Sequence, residues 1–388
     1  MNLLILYTKN TKEVFNRKSA IGSYINCLSN ILQAEGNTIF LNGIPFNEIH
    51  LNETPEQGGS SRGVITRFIP SFIKRRLRDR LVLKKADLLT EELLKSTVKF
   101  DVILEFYNLG SQVGVSLSKA LNVPLIITYD GPIIEEYEFF NQGEKPFYYD
   151  QFVDRQKESL LQAKEIVVYS NPMKDYITAI TKNTQNLTIH QNVDFTRFDI
   201  FEAEKDFGSK PIKICFIGSF LKWHQVDMLV EVGVDLLKSG KQIEFYLVGD
   251  GMERQSIADR VERLEPVVKS KFHLLGFLDG EELFDLKKQM HIGVMPGSNW
   301  YGAPNKIFEY GAMNMAVVAP NTPTIKDLFT EKEINFFDWK DQASLAKALA
   351  NFIDHPEGME EKAATLQAFI LQKYSVDQTR KHYVDLLS

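Results

Sequence analysis

The stretch Pro304-Asn305-Lys306-Ile307-Phe308-Glu309 carries the chemistry that is easiest to read in this chain. A polar loop, GSNWYGA over 297–303, leads into it, and Pro304 stands where a first helical residue belongs. A helix starting there points free amide groups and the positive end of its dipole at whatever lies in front, which makes an anion site. Lys306 falls in the first turn, where a cation works against the dipole; service to a bound anion accounts for that placement. Glu309 is one turn further on the same face and can accept hydrogen bonds from hydroxyls such as those of ribose. Taken alone, Lys306 and Glu309 also fit an exposed pair three residues apart on a solvated helix face.

Three glycine-bearing turns follow apolar runs in the same half. IGSFLKWH ends the run Ile212 to Gly218, VGDGMER ends Ile243 to Gly249, and LGFLDGEE ends Phe272 to Gly276. Gly218, Gly249 and Gly251 allow backbone to approach a ligand closely. Any one of these turns is an ordinary strand-ending glycine. Three in series point to a single ligand cleft, because in an open parallel sheet ligands sit beyond the carboxyl ends of the strands.

The elements that must hold these residues are short apolar runs separated by helical patterns. The first half has Leu3 to Tyr7, Thr38 to Leu41, Val102 to Leu104, Pro124 to Thr128 and Ile166 to Tyr169. The second has the three runs above, then Ile292 to Met295 and Ala316 to Ala319. Near-continuous apolar strands of this length predict parallel sheets covered on both faces, and two series predict two doubly wound α/β domains. The polar stretch Thr196 to Pro211 reads as the seam. A last amphipathic helix runs from about Ser375 to Leu387, with Val376, Tyr383, Leu386 and Leu387 as its apolar members.

A length of 388 residues fits two sizeable domains at about 150 residues each. With 44% hydrophobic and 25% charged residues, the chain is neither disordered nor collagenous. The net charge of −6 argues against nucleic acid as the partner of the whole molecule. Cys27 and Cys215 are far apart in apolar surroundings, so no disulfide framework or zinc site is readable. The opening MNLLILYTKNTKE has an apolar run too short for a signal-peptide core, and no stretch approaches a membrane span, so a cytoplasmic location is expected.

PNKIFEYGAMNMAVVAPNTPTIKDLF resembles the donor-site signature of GT-B glycosyltransferases, in particular glycosyltransferase family 4, whose members read close to SPxKxxEYMAxGxPVVA. IGSFLKWHQVDMLVEV resembles that family's first turn in the second domain, GSFxxWHGVxxLxxA. In the first half, FDVILEFYNLGSQVGVSLSKALNVPLIITYDGPIIEE looks like PDVIYERY…LAKKLGIPLVLEVNAPLxxE, and VVYSNPMKDYI with IHQNVDFTRF looks like VxxSxxxKxxL…NGVDxxxF. The resemblance spans nearly the whole chain and is most specific over Pro304 to Pro320.

The resemblance implies a GT-B fold of two facing Rossmann-like domains with the active site in the cleft between them. Residues 1–198 would be the acceptor domain, 199–370 the donor domain, and 371–388 a helix returning to the first. It implies metal-independent transfer of a sugar with retention, from a nucleotide sugar and without a cofactor. Lys306 would bind the donor phosphates and Glu309 the ribose. Gly276, Phe277 and Leu278 would border the base, and the amides of Gly302, Ala303, Pro304's helix start and Asn305 would face the diphosphate or sugar. Gly22 and Ser23, at the start of a helix, match a loop that meets the diphosphate and acceptor, although a plain connecting loop reads equally well. Asp130, after the strand Pro124 to Thr128 and flanked by Tyr129 and Gly131, is the candidate for orienting or deprotonating an acceptor hydroxyl; Glu105 and Glu136 are further candidates.

Several positions depart from the family pattern. Its Glu-x7-Glu pair ends at Glu309 but begins at Tyr301, which puts the donor sugar in question. Arg and Lys of the first turn are replaced by Ser219 and His224, and the glycine after the basic residue is Gln225. His224 still donates to phosphate, and Lys222 can supply charge. Retaining transfer needs the oxocarbenium-like centre and departing diphosphate to be stabilised; Lys306 and the helix amides are the candidates, and no covalent nucleophile is assigned.

Arg62 to Lys85 holds nine basic residues against the single Asp79, interleaved with Phe68, Ile69, Phe72, Ile73, Leu77 and Leu81. It reads either as a basic amphipathic helix on anionic lipid or as a surface helix packed on the sheet. The function expected is hexose transfer from a UDP-sugar, UDP-glucose first, to a glycan or lipid-linked acceptor in polysaccharide biosynthesis. GDP-mannose is the alternative donor. A sugar-nucleotide epimerase, or a binding partner without transfer activity, are the other readings.

Overall fold

The computed structural model describes residues 1–9, 19–49, 70–183, 185–191, 193, 205–278 and 280–387. The chain divides into two compact units, one of residues 1–194 with 379–388 and the other of residues 195–378. Residues 196–204 of the seam and 62–69 of the basic segment lie outside the described residues.

Among the described residues the first unit holds a seven-stranded sheet. Its strands are β1 (Asn2–Tyr7), β2 (Thr38–Leu41), β3 (Ile44–Pro45), β4 (Val102–Phe106), β5 (Leu125–Thr128), β6 (Glu165–Val168) and β7 (Leu187–Ile189). They lie in the order β3-β2-β1-β4-β5-β6-β7, parallel throughout except for the β2–β3 hairpin. The second unit holds β8 (Ile212–Ile217), β9 (Ile243–Val248), β10 (Phe272–Gly276), β11 (Ile292–Val294), β12 (Ala316–Pro320) and β13 (Asn335–Phe337). Their order is β10-β9-β8-β11-β12-β13, all parallel. Both are doubly wound sheets whose chain direction switches beside the first strand of the unit, at β1/β4 and at β8/β11.

The expected apolar runs are all strands, with ends that shift by one or two residues. The sequence gives no warning of β3, β7 and β13, which are two or three residues long. Buried strand faces explain the rest: Leu3, Ile5, Val102 and Leu104 enter one core, and Ile212, Ile214, Phe216, Phe245 and Val294 enter the other. Both cysteines are free and buried.

The last helix is Val376–Leu387. Its Tyr383 is fully buried in the core of the first unit, with its hydroxyl 3.1 Å from that of Tyr24. Among the described residues no helix is long and apolar enough to cross a membrane.

Candidate functional site

The switch point of the second sheet lies between β8 and β11, so the loops leaving those two strands are where a ligand is expected. The β8 loop carries Gly218, Ser219, Lys222 and His224; the β11 loop carries Tyr301, Gly302, Ala303 and Pro304. Backbone hydrogen bonds lace the β8, β9 and β10 turns together. Gly218 donates to the Val248 carbonyl at 2.9 Å, Gly249 to the Gly276 carbonyl at 2.6 Å, and Phe220 to the Asp250 carbonyl at 2.8 Å. Gly251 packs its α-carbon on the backbone of Phe220. Gly249 takes φ +130, and a β-carbon there would stand 2.0 Å from the Gly218 oxygen, so only glycine closes this turn.

The helix after β11 is Asn305–Ala312, with Pro304 as its N-cap rather than its first residue, and it ends one residue before Met313. No side chain caps it. The Ile307 and Phe308 amides donate to the Pro304 carbonyl, which leaves the amides of Asn305 and Lys306 at the open end of the dipole. Tyr310 sets the height of this helix on the sheet. Its buried hydroxyl accepts from the Ile217 amide at 2.8 Å, and its ring occupies the space that a side chain at Gly293 would need.

That register carries Lys306 across to the β8 turn. Its Cε would lie 2.4 Å from a β-carbon at Gly218, whose φ is +150, so the lysine runs along bare glycine backbone. Its ammonium sits 5.7 Å from the centre of the Phe216 ring and 3.2 Å from Nε2 of His224. Nδ1 of His224 is bonded to the Ser219 carbonyl oxygen. Since a carbonyl only accepts, Nδ1 carries the proton and Nε2 offers its lone pair to Lys306. Burial pulls the Lys306 ammonium down to about 8, with the Glu309 charge acting the other way. Burial, then the neighbouring lysine charge, pushes His224 down to about 3. Lys306 is therefore a half-buried cation that makes no ion pair with a described residue.

Glu309 does not turn to Lys306. It pairs with Lys287 at 2.8 Å, with its carboxylate 40% exposed. Tyr301, in place of the expected glutamate, is largely buried, its ring edge-on to Trp300 at 5.2 Å. A β-carbon at Gly302 would crowd Ser298 Oγ and Asn299 Oδ1. Phe277 projects from the end of β10 with 56% of its surface exposed, Leu278 is half-buried and Lys222 is exposed. Gln225 takes the left-handed conformation, φ 49 and ψ 41, that its glycine counterpart would adopt freely. Buried oxygens of Gln225 and Asn299 have no hydrogen-bond partner, and both stand beside the glycines at either end of the 297–302 loop. The sequence pattern marked Gln225 only as a departure from the family's glycine and passed over Asn299, because neither side chain carries charge.

The candidates of the first unit are arranged differently. The Ser19 hydroxyl accepts from the Gly22 amide at 2.9 Å, and the Ser19 carbonyl accepts from that of Ser23. These two amides thus belong to the start of the Ala20–Ala34 helix and not to an open loop. Glu105 is fully buried and turned inward, taking a hydrogen bond from Ser111 beside Gly114; burial raises its carboxyl to about 7. Tyr129 is buried in a stack with Tyr107, ring centres 5.7 Å apart. Asp130 is half-buried at the end of β5; burial raises the Tyr383 phenol, and the Asp130 charge adds a smaller push in the same direction. Glu136 lies in the Ile133–Phe140 helix, half-buried. Among the described residues no three His, Cys, Asp or Glu side chains form a group that could hold a metal ion.

Residues 211–355 match the family model described as Glycosyl transferases group 1. Three solved structures are similar over the whole chain. HepE of Anabaena, in complex with UDP, has 13% identity and a TM-score of 0.73, covering 100% of this chain and 99% of its own. Sucrose-phosphate synthase of Thermosynechococcus elongatus has 16% identity and a TM-score of 0.73, covering 100% and 98%. A glycosyltransferase of Rickettsia africae has 13% identity and a TM-score of 0.68, covering 100% and 97%. HepE is also known in complex with UDP-glucose, at 13% identity, a TM-score of 0.66 and coverage of 100% and 99%. No curated protein matches this chain in sequence.

Proposed function

From a chain with the GT-B fold whose residues 211–355 form a group 1 glycosyl transferase domain, we propose a retaining hexosyltransferase that uses a UDP-sugar. UDP-glucose is the first donor to test, since a structural relative binds it. The acceptor in this reading is a glycan or lipid-linked saccharide in polysaccharide biosynthesis, the compartment is the cytoplasm, and residues 62–85 touch the inner membrane face.

One observation carries the proposal: the half-buried Lys306 ammonium, without a carboxylate ion-pair partner among the described residues, beside the uncapped start of the Asn305–Ala312 helix. A diphosphate placed there meets a full positive charge, two free amides and a histidine able to donate once protonated. As the glycosidic C–O bond to the diphosphate breaks, negative charge grows on the leaving oxygen, and fixed donors stabilise that charge more than they stabilise the bound donor. No metal or cofactor is needed in this reading. Glu309 holds the ribose, Phe277 stacks on the base, and Gln225 and Asn299 meet sugar hydroxyls. Asp130 orients or deprotonates the acceptor hydroxyl.

Tyr301 supports a second reading, a sugar-nucleotide binder without transfer activity, because it replaces a carboxylate with a packed ring. Calorimetric titration with UDP, GDP and ADP, followed by the matching nucleotide sugars, separates the cases. Micromolar UDP binding with slow glucose release from UDP-glucose is the expected result. Selective GDP binding would move the donor to GDP-mannose. Binding without sugar release or transfer would favour the second reading, and no nucleotide binding would sink both.

A further inference from the structure

Residues 297–303 lead from β11 to the Asn305–Ala312 helix, and their path decides where Tyr301, Gly302 and Ala303 stand. The segment is folded closely on itself. The Trp300 and Tyr301 rings meet edge-on at 5.2 Å, and Gly302 has no room for a side chain beside Ser298 and Asn299. A displacement at Trp300 is therefore passed to its neighbours.

Trp300 is anchored from further along the chain. Its carbonyl accepts from the Thr324 hydroxyl at 2.9 Å and from the Thr324 amide at 3.3 Å. Thr324 is fully buried in the first turn of the Pro323–Leu328 helix, which follows β12. That helix start is fixed to the sheet: Asn321 donates its amide to the Phe337 carbonyl at 2.9 Å and its side chain to Asp338 at 2.8 Å. First-turn amides have no partner within a helix, and an N-cap side chain ordinarily accepts from one of them. Thr322 holds the N-cap position with the residue type and extended backbone of a cap, φ −66 and ψ 155, yet no side chain caps this helix. The Thr322 hydroxyl oxygen is buried without a hydrogen-bond partner. Leaving such a group unpaired is costly. The amide two residues on, which a cap at Thr322 would take, is given to Trp300 instead.

We propose that the Trp300 carbonyl and the Thr322 hydroxyl are alternative caps for the Thr324 amide, and that swapping them seats and releases the 297–303 segment. Seated, the segment is held by both donors of Thr324. Released, it frees the amide, and a turn about the Thr322 Cα–Cβ bond brings the hydroxyl to it. Thr324 is then a positioning residue for the donor sugar, and Thr322 lowers the cost of letting go. Only the step to the donor sugar rests on the proposed function; the cap swap belongs to the chain itself and is measured without nucleotide.

The test is amide hydrogen exchange of the full chain over residues 298–303, in the parent, Thr324→Val, Thr324→Ser and Thr322→Val. Losing one hydrogen bond from the seated state shifts its opening equilibrium by about fivefold. Thr324→Val should therefore exchange about fivefold faster, and Thr324→Ser like the parent. Thr322→Val should do the reverse and exchange about fivefold more slowly, because only the released state loses a bond; its thermal midpoint should not fall. Threonines with a merely structural role give no such opposite pair. With UDP-glucose, Thr324→Val should lower sugar release on the order of tenfold while UDP binds as in the parent, and Thr324→Ser should restore it. Unchanged or faster exchange in Thr322→Val would overturn the cap swap, as would parental exchange in Thr324→Val. Should Thr324→Val not fold, Thr322→Val decides alone. A parent that binds no nucleotide would sink the proposed function and leave hydrogen exchange to judge the cap swap.

Discussion

The Lys306 ammonium lies 3.2 Å from Nε2 of His224, whose Nδ1 is tied to the Ser219 carbonyl. This pair holds one positive charge where two cationic side chains would be expected. A neutral imidazole accepts the lysine proton donor; an imidazolium at that distance would repel it. The β8 turn is therefore a receptor for Lys306 when no anion is bound, and it keeps the chain aligned over Gly218.

The pair sets a pH limit on anion binding. Only the ammonium form of Lys306 attracts a diphosphate, and burial brings its loss of a proton to about 8. A bound phosphate stabilises the charged form and raises that value, so above about 8 binding must take up a proton. UDP affinity should be flat from pH 6.5 to 7.5 and fall toward tenfold per unit above about 8. Calorimetry in two buffers of different ionisation heat measures the proton directly. A pH-independent affinity up to 9.5 would remove Lys306 from the binding step.

Replacing Lys306 should cost more in transfer than in binding. Removing one fixed donor to a developing charge costs on the order of a hundred- to a thousandfold in turnover, so Lys306→Ala should lose at least that in kcat with a smaller rise in KM. Lys306→Arg should not rescue, because the larger guanidinium has no room between Gly218 and His224. Full transfer by Lys306→Ala would refute the donor-site assignment.

The β9 turn gives a stability test. Gly249→Ala forces a side chain into φ +130 and within 2.0 Å of the Gly218 oxygen. Backbone cannot yield there without breaking the Gly218–Val248 bond. The expected loss is on the order of 3 kcal/mol, a fall in the midpoint of the second unit's thermal transition of roughly 6–12 °C. The first unit's transition should not move.

How much of this could be read beforehand depended on the range of the interaction. Strand runs, the glycine turns and the helix start beside Pro304 are local patterns, and they stand within one or two residues of where the sequence puts them. The orientation of side chains is not local. Glu309 meets Lys287, which is 22 positions earlier on another helix, and Tyr310 reaches 93 positions back to Ile217. Gly22 and Ser23 stand at the start of a helix, as their pattern suggested, in the first turn of Ala20–Ala34. What the pattern did not show is that the Ser19 hydroxyl caps the Gly22 amide and the Ser19 carbonyl takes that of Ser23, a signal that a serine three residues ahead of the glycine did offer. Glu105 sits at a strand end, where carboxylates often face a cleft, yet its position in the pleat turns it into the core. Gln225 stands where the family pattern has glycine and takes the left-handed conformation that glycine adopts freely, so the β8 loop imposes the turn on a residue that does not favour it.

That strain can be released. A non-glycine residue in the left-handed region costs about 1–2 kcal/mol, and glycine gives back about 0.5–1 kcal/mol through the entropy of the unfolded chain. Gln225→Gly should therefore stabilise the second unit by up to about 1 kcal/mol, read as a higher urea midpoint with unchanged slope. If Gln225 meets the donor sugar, the same variant should bind UDP normally and UDP-glucose less tightly. Equal affinities for both ligands in variant and parent would confine Gln225 to the turn.

Glu309 allows the ribose and diphosphate contacts to be told apart. Its carboxylate is partly exposed and already held by Lys287, itself largely buried, so its position does not depend on a ligand. A hydroxyl donating to a charged, fixed carboxylate is worth about 1.5–3 kcal/mol, and the Gln amide keeps one acceptor oxygen for the second hydroxyl. Glu309→Gln should thus weaken UDP by on the order of ten- to a hundredfold. Inorganic pyrophosphate meets only Lys306 and the helix amides, and its affinity should stay within about twofold, since Glu309 lends Lys306 only a modest charge effect. Equal losses for UDP and pyrophosphate would mean that Glu309 acts through Lys306 and not on the ribose.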